Sequence, residues 1–231
     1  DTVAIITKVN QYYFTGTMQD ALLLIRKGGA YSFYVRRSID RAVAESPLDQ
    51  VNAMHSYREI AEKEGAELGN TYVEGDTVPF AFVGRLGKYF QMSSIGNCEN
   101  LVRKVRSVKS PYEIYWMEKS GHYHNKLLQE AVPKLLREGM SEAEFVGDVL
   151  AEMMRLNYQG ITRFAKFQTE IIGGQFGFGE NSLYPTNFDG PGGAHGNSPA
   201  TPIAGDPNRR LKKGDLVFVD IAFGINGYHS D

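Results

Sequence analysis

The chain has 231 residues, 25 Lys and Arg against 27 Asp and Glu for a net charge of −2, and 42% apolar residues. That balance excludes a nucleic-acid scaffold working through a basic surface, and no apolar run nears the roughly 18 residues of a membrane span. The single cysteine, Cys98, excludes an intrachain disulfide and favours a reducing, cytoplasmic setting.

In chain order, Asp1 leads directly into the strand-like Val3–Ile6, with no basic segment and apolar stretch of a signal peptide before it. Strand signals recur at Ala21–Ile25, Tyr31–Val35 and Phe80–Val83 as short apolar runs bounded by Gly, Asp or Lys. Helical composition and spacing mark Ser38–Glu45, Ser56–Glu64 and Leu86–Ser93. Strands interleaved with helices predict an α/β layer structure, and Gly28-Gly29 predicts a tight turn between antiparallel strands. The basic run Arg103–Arg106 reads as a solvated linker, placing a first domain at 1–103 and a second at 104–231.

The second domain opens on Ser110-Pro111-Tyr112-Glu113: a Ser cap, Pro at the first helical position and Glu three residues after the cap. Pro133 predicts a kink or a break, and Gly139 a left-handed helix end. Ser141-Glu142-Ala143-Glu144 is a second capping box, for a helix to about Leu156. From Gly160 the pattern turns to strands and Gly/Pro-rich loops, with Ile171-Ile172 and Leu216–Phe223 the clearest strands. The glycines at 173, 174, 177 and 179 fit neither common phosphate-loop spacing, and read as loop glycines lining a pocket.

The stretch from Gly214 to Asp231 reads as a hairpin turning within Gly224–Gly227. With Ile225-Asn226 at the centre, Asp220 lies across from Asp231; with Asn226-Gly227, Asp231 faces Ala222. Strand side chains alternate with period two, so both registers put Asp220 and Asp231 on one face. Their Cβ atoms would be about 5 Å apart if opposed and about 7–8 Å if diagonal. Two like charges on apolar strands repel and are costly to desolvate, and a divalent cation removes the conflict. The bland alternative is a solvated strand end beside a polar residue on an open face.

Asp220 and Asp231, eleven positions apart in a Val-Asp…Gly-Tyr-His-Ser-Asp setting after Gly-Asp-Leu-Val, resemble the first two metal ligands of the pita-bread metallopeptidases, peptidase family M24. That family comprises methionine aminopeptidases, Xaa-Pro aminopeptidases, prolidases and creatinase. Arg106–Ile114 resembles the start of their catalytic domain, and Asn10–Gly16 an Asn-x-x-Tyr-Leu-Thr-Gly element of the creatinase-type N-terminal domain. The matches fall in family order along nearly the whole chain, and the N-terminal one favours the Xaa-Pro, prolidase or creatinase branch. The fold implied is a ribonuclease H-like α/β domain followed by the first part of an α+β pita-bread domain.

The resemblance also assigns a loop histidine that contacts substrate and assists proton transfer. His195, in Gly192-Gly193-Ala194-His195-Gly196 and twenty-five residues before Asp220, occupies that place. Ala194 stands where many relatives have Pro, Ala222 where Gly is common, and the Asn197–Arg210 loop is longer than in many. Read from the residues alone, His195 is a mobile-loop histidine able to titrate near neutral pH, or simply an exposed one. His122 and His124, two apart on a helix, cannot share a metal and read as surface or packing residues. His55 reads as a cap or surface residue, His229 as an ordinary strand histidine, and Cys98 as an unreactive thiol.

The resemblance implies two divalent ions (Mn, Co or Zn) that activate water against a peptide carbonyl. Asp220 would hold one ion, Asp231 would bridge both, and His195 would help move protons. The remaining ligands, one His and two Glu, would follow the second Asp. The chain is therefore expected to be truncated at both ends, metal-poor and inactive by itself, with a peptide or dipeptide as the full-length enzyme's substrate and a homodimer as its assembly. A creatinase-like metal-independent hydrolase and a non-catalytic pita-bread binding module are the competing expectations.

Overall fold

The structure is a computed structural model that describes residues 1–164, 169–186 and 192–231. It divides into two compact units, Asp1–Val108 and Lys109–Asp231.

In the first unit the chain runs β1 (Thr2–Ile5), α1 (Lys8–Thr15), β2 (Ala21–Arg26), β3 (Tyr31–Val35), α2 (Ile39–Glu45), β4 (Asn52–Ala53), α3 (Tyr57–Glu64), β5 (Glu67–Val73), α4 (Phe80–Leu86), β6 (Gln91–Asn97) and α5 (Glu99–Ser107). One six-stranded sheet has the order β4-β3-β2-β1-β5-β6. The β1–β2 and β2–β3 pairs are antiparallel, and the β1–β5, β5–β6 and β3–β4 pairs are parallel. Side chains alternate across the sheet into two apolar layers. Leu22, Leu24 and Tyr34 meet Tyr57, Ile60 and Leu86, while Leu23, Phe33 and Val35 meet Ala42 and Val102. Residues buried on both faces explain why these strands read as continuous apolar runs.

Three expectations for this unit are corrected. Phe80–Val83 belongs to α4, not to a strand: Phe82, Val83 and Leu86 pack at helical spacing, while Phe80 is 92% exposed. Gly87 then ends that helix, so the helix expected at Leu86–Ser93 gives way to β6. Arg103–Arg106 is not a linker but part of α5, which buries Val102, pairs Arg103 with Asp76 and lays Arg106 over the Tyr13 ring beside Asn10. The short helix α1 is capped from afar. Thr7 makes no side-chain cap, and the buried Glu74 supplies it instead, accepting from the amides of Ile6 (2.6 Å) and Thr7 (2.9 Å), from the Thr7 hydroxyl and from Asn10 Nδ2 (2.7 Å).

The second unit begins with α6 (Pro111–Lys126), whose capping box forms as expected: Ser110 accepts from the Glu113 amide and Glu113 from the Ser110 amide. The break expected at Pro133 takes the form of a π turn, Leu127–Ala131, leading into α7 (Val132–Leu135). Proline has no N–H to give the preceding turn, and the wider turn absorbs the mismatch. Gly139 is left-handed (φ 83°) but lies beyond the end of α7, in the turn to the next helix. There α8 (Glu142–Arg155) carries the second capping box and buries Phe145, Val146, Val149 and Met153.

Two short strands, β7 (Thr162–Arg163) and β8 (Glu170–Ile171), precede β9 (Gly174–Phe178) and a 3-10 turn at Gly179–Leu183. Of the four glycines expected in a loop, Gly174 and Gly177 thus lie in a strand. A Cβ on Gly174 would come within 1.8 Å of the Asp220 carbonyl oxygen, so glycine is what lets the partner strand approach. That partner is β10 (Val217–Ile221), antiparallel to β9. The single strand expected over Leu216–Phe223 breaks at Ala222 into β10 and β11 (Phe223–Ile225), and β11 pairs with β12 (Tyr228–Ser230). Phe145 meets Phe176 and Phe178 edge-on or tilted at 5.9 and 5.6 Å, joining α8 to β9 in the second core.

Candidate active site

The β11–β12 turn is centred on Asn226-Gly227, both left-handed (φ 51° and 84°), which is the demand of a type I′ hairpin. The pairs Phe223↔Ser230, Gly224↔His229 and Ile225↔Tyr228 follow the second of the two registers, which, extended by one residue, would set Asp231 across from Ala222. Phe223 and Ile225 go to the core, and Ser230, on the Phe223 side, meets Ser120 and His124 at 3.0 and 3.2 Å. Asp231 therefore lies on the opposite face with Ala222 and, by alternation, with Asp220. Burial pushes Asp220 above the usual carboxylate range, and the negative charge of Asp231 adds to it.

Around Asp220 the ladder has one oily and one polar face. Phe176, Phe178, Val217, Val219 and Ile221 enter the core. Gln175, Gly177, Phe218 and Asp220 share the other face, with Gln175 directly across from Asp220. Gln175 is 1% exposed, and neither its amide oxygen nor its amide nitrogen has a partner among the described residues. Sequence reading missed it, because a lone glutamine between glycines carries no pattern; only its pairing with Asp220 marks it.

The loop that carries His195 packs on this face through Gly192. A Cβ on Gly192 would sit 2.4 Å from the Phe218 ring, two residues before Asp220, and one on Gly193 would meet the Tyr184 carbonyl at 2.0 Å. The glycines thus press the loop onto the ladder. His195 Nδ1 lies 3.2 Å from Asp206 Oδ2, and the Tyr184 ring stands edge-on at 4.8 Å. Burial pushes the Asp206 carboxyl up, but hydrogen bonds from the Asn208 amide, Asn181 and the Arg209 amide, together with His195, outweigh it and leave it below the usual range. Behind Asp206 stands Glu142, fully buried, whose Oε2 accepts from the Asp206 amide (2.8 Å) and Asn181 (3.2 Å) and whose Oε1 accepts from the Phe178 amide (2.6 Å).

The other candidates lie elsewhere. His124 is a buried packing residue stacked on Phe223; burial lowers its pKa, opposed by Asp231. His55 is exposed beside Glu59, and His229 Nε2 meets Gln159 Nε2 at 2.9 Å. The Cys98 thiol is pushed up to about 12 by burial and by Glu74 and Glu99, which makes it a poor nucleophile at neutral pH.

Two carboxylates on one face, one of them raised by burial and by the other, are hard oxygen donors that a divalent cation would satisfy. They fit such a site as part of its ligand set. Among the described residues no group of three or more His, Cys, Asp or Glu is gathered to complete it.

A six-stranded mixed sheet between helices, followed by an α+β unit with paired carboxylates on a hairpin, is the architecture of the creatinase and prolidase class of metallopeptidases. Residues 1–108 match the Creatinase/Prolidase N-terminal domain and residues 116–231 match Metallopeptidase family M24, and the chain belongs to that family. An uncharacterized peptidase of Staphylococcus aureus (strain USA300) is 26% identical over 244 residues, covering 100% of this chain and 60% of its own length. Among solved structures, the prolidase from Pyrococcus furiosus superposes with TM-score 0.76 at 22% identity, covering 100% of this chain and 60% of that one. The X-Pro aminopeptidase from Thermotoga maritima gives 0.71 at 16%, covering 100% and 59%. The chain thus spans about three fifths of the length of the relatives it matches.

Proposed function

We propose that this chain is the N-terminal domain and first metal-binding hairpin of a metal-dependent hydrolase acting on Xaa-Pro peptide bonds, of the aminopeptidase P or prolidase type. The observation that supports the reading is the half-buried Asp220, held above its ordinary pKa by burial and by the charge of Asp231. In this reading Asp220 and Asp231 hold divalent metal (Mn, Co or Zn), which supplies Lewis acidity toward the scissile carbonyl and activates water. His195, half-exposed on its loop, contacts the substrate and carries a proton between water and the leaving amine. The buried amide of Gln175 faces the same side and is free to hydrogen-bond a carboxylate or a substrate carbonyl.

Two carboxylates alone make a weak site, so turnover belongs to the full-length protein and the 231 residues are expected to be inactive by themselves. The test is hydrolysis of Ala-Pro and Ala-Pro-Xaa peptides by the full-length protein with and without Mn²⁺, Co²⁺ or Zn²⁺. Metal-dependent release of alanine supports the reading, and the preferred peptide length separates dipeptidase from aminopeptidase. Cleavage indifferent to chelators, or no cleavage with any metal, would overturn it in favour of a metal-independent hydrolase or a binding module.

A further inference from the structure

We propose that Asp206 is the positioning residue of His195: its carboxylate accepts the Nδ1–H of the imidazole and thereby presents Nε2 as the nitrogen that exchanges protons with substrate. This rests on the reading of His195 as the proton-handling residue of a peptide hydrolase.

A histidine that works by one nitrogen needs the other fixed, because a neutral imidazole has two tautomers and only one offers a lone pair on the working side. Nδ1 lies 3.2 Å from Asp206 Oδ2 and Tyr184 packs edge-on against the ring, contacts that favour a proton on Nδ1 and limit rotation of the ring. The side chain of His195 is 45% exposed while that of Asp206 is 15% exposed, which leaves the far side of the ring open and the carboxylate enclosed.

Asp206 is itself held. Its Oδ1 accepts from the Asn208 amide at 2.7 Å, Asn181 Nδ2 reaches Oδ2 at 3.4 Å, and its own amide is fixed by Glu142. The Arg209 amide also donates to it, while the Arg209 guanidinium is paired with Asp215 at 2.7 Å. Among the described residues the one ion-pair contact of Asp206 is with His195. The carboxylate sits within Asn197–Arg210, the loop that follows His195 in the chain.

In the hydrolysis, the water oxygen bonds to the acyl carbon, the C–N bond breaks, and a water proton ends on the leaving nitrogen. His195 takes that proton at Nε2 and releases it. While both ring nitrogens carry protons, the ion pair with Asp206 stabilises the imidazolium.

The test uses the full-length protein as wild type, Asp206→Asn, His195→Ala and the double variant. Asparagine keeps the Oδ1 acceptor for the Asn208 amide, so the loop fold is retained. We expect kcat to fall about 10- to 100-fold in Asp206→Asn with KM within about twofold, the range for an orienting partner of a working imidazole. In the His195→Ala background the same change should cost nothing further. A second readout needs no substrate: ¹⁵N-histidine NMR at alkaline pH, with His195 assigned from the His195→Ala spectrum. Nδ1–H should dominate in the wild type and lose its dominance in Asp206→Asn. An unchanged tautomer, a wild type dominated by Nε2–H, or a full additional loss in the double variant would overturn the proposal. A wild type that cleaves no Xaa-Pro peptide would sink the functional reading, and the tautomer then decides the pairing of Asp206 with His195 by itself.

Discussion

Replacing Glu142 by glutamine tests the polar scaffold behind the His195 loop. The carboxylate is fully buried and accepts from the Phe178 amide at 2.6 Å, the Asp206 amide at 2.8 Å and Asn181 at 3.2 Å. Two of these donors are backbone N–H groups that cannot rotate away, and they approach different oxygens. Glutamine has one carbonyl oxygen, so in either orientation its NH₂ faces a backbone N–H that has lost its acceptor. A hydrogen bond to a charged group contributes about 1.5–3 kcal/mol, and a stranded buried donor costs about 1–3 kcal/mol. The two overlap, and a loss of about 2–4 kcal/mol is expected. Trp116, the one tryptophan, packs against the core of the second unit and reports its urea transition directly. Glu142→Ala, which strands all three donors, should lie at or beyond the upper end. A Glu142→Gln midpoint within about 0.5 kcal/mol of wild type, at unchanged m-value, would refute the reasoning.

Three further outcomes follow from the geometry. Because Asp220 is raised in the folded state, its contribution to stability is fully present below the unfolded carboxylate pKa and is lost as pH rises through its raised folded value. At neutral pH metal-free Asp220→Asn should therefore be slightly more stable than wild type, by less than about 1 kcal/mol after solvent screening, while Mn²⁺ raises the melting temperature of the full-length wild type only; a metal-induced shift that survives in Asp220→Asn would count against the site. Gly174→Ala, driven into the Asp220 carbonyl, should destabilise the second unit by about 3 kcal/mol and abolish that metal-induced shift, read by the same thermal melts. The Tyr34 hydroxyl bonds Glu64 at 2.6 Å and, with help from Ser32 and against burial, holds that carboxyl below its usual range. Its share of stability is present above the unfolded carboxylate value and vanishes as pH falls through the lowered one, so a Tyr34→Phe deficit of under about 1 kcal/mol at pH 7 should shrink on acidification in parallel denaturation curves.

What was legible in the sequence was local. Capping boxes at Ser110 and Ser141 each need only four residues in a row, and both form. Of the two turn centres the sequence allows, Asn226-Gly227 is the one that forms, because few dipeptides accept two left-handed residues. Period two alone predicts one face for Asp220 and Asp231, and across the break at Ala222 the charge of Asp231 still reaches Asp220. Failures came where a neighbour distant in sequence decides. Phe80–Val83 has strand composition, but only packing shows that Phe80 is exposed while Leu86 is buried. Gly174 and Gly177 look like loop glycines until β10 and Ser182 are seen pressed against them. Asp206, Glu142 and Gln175 carry no motif; their significance is their partners, 11, 36 and 45 residues away.

Glu74 has a consequence for how the first unit assembles. An eight-residue helix is too short to persist alone in water, and the cap that would hold α1 open-ended amides comes from a residue 67 positions downstream. That carboxylate reaches Thr7 only after β5 has docked beside β1, a parallel pairing that closes a loop of more than sixty residues. The helix nearest the beginning of the chain is thus completed late, and its amide protection against hydrogen exchange should track closure of the whole sheet rather than local fraying. In a chain emerging from the ribosome, α1 would wait for most of its domain to be made before it could settle.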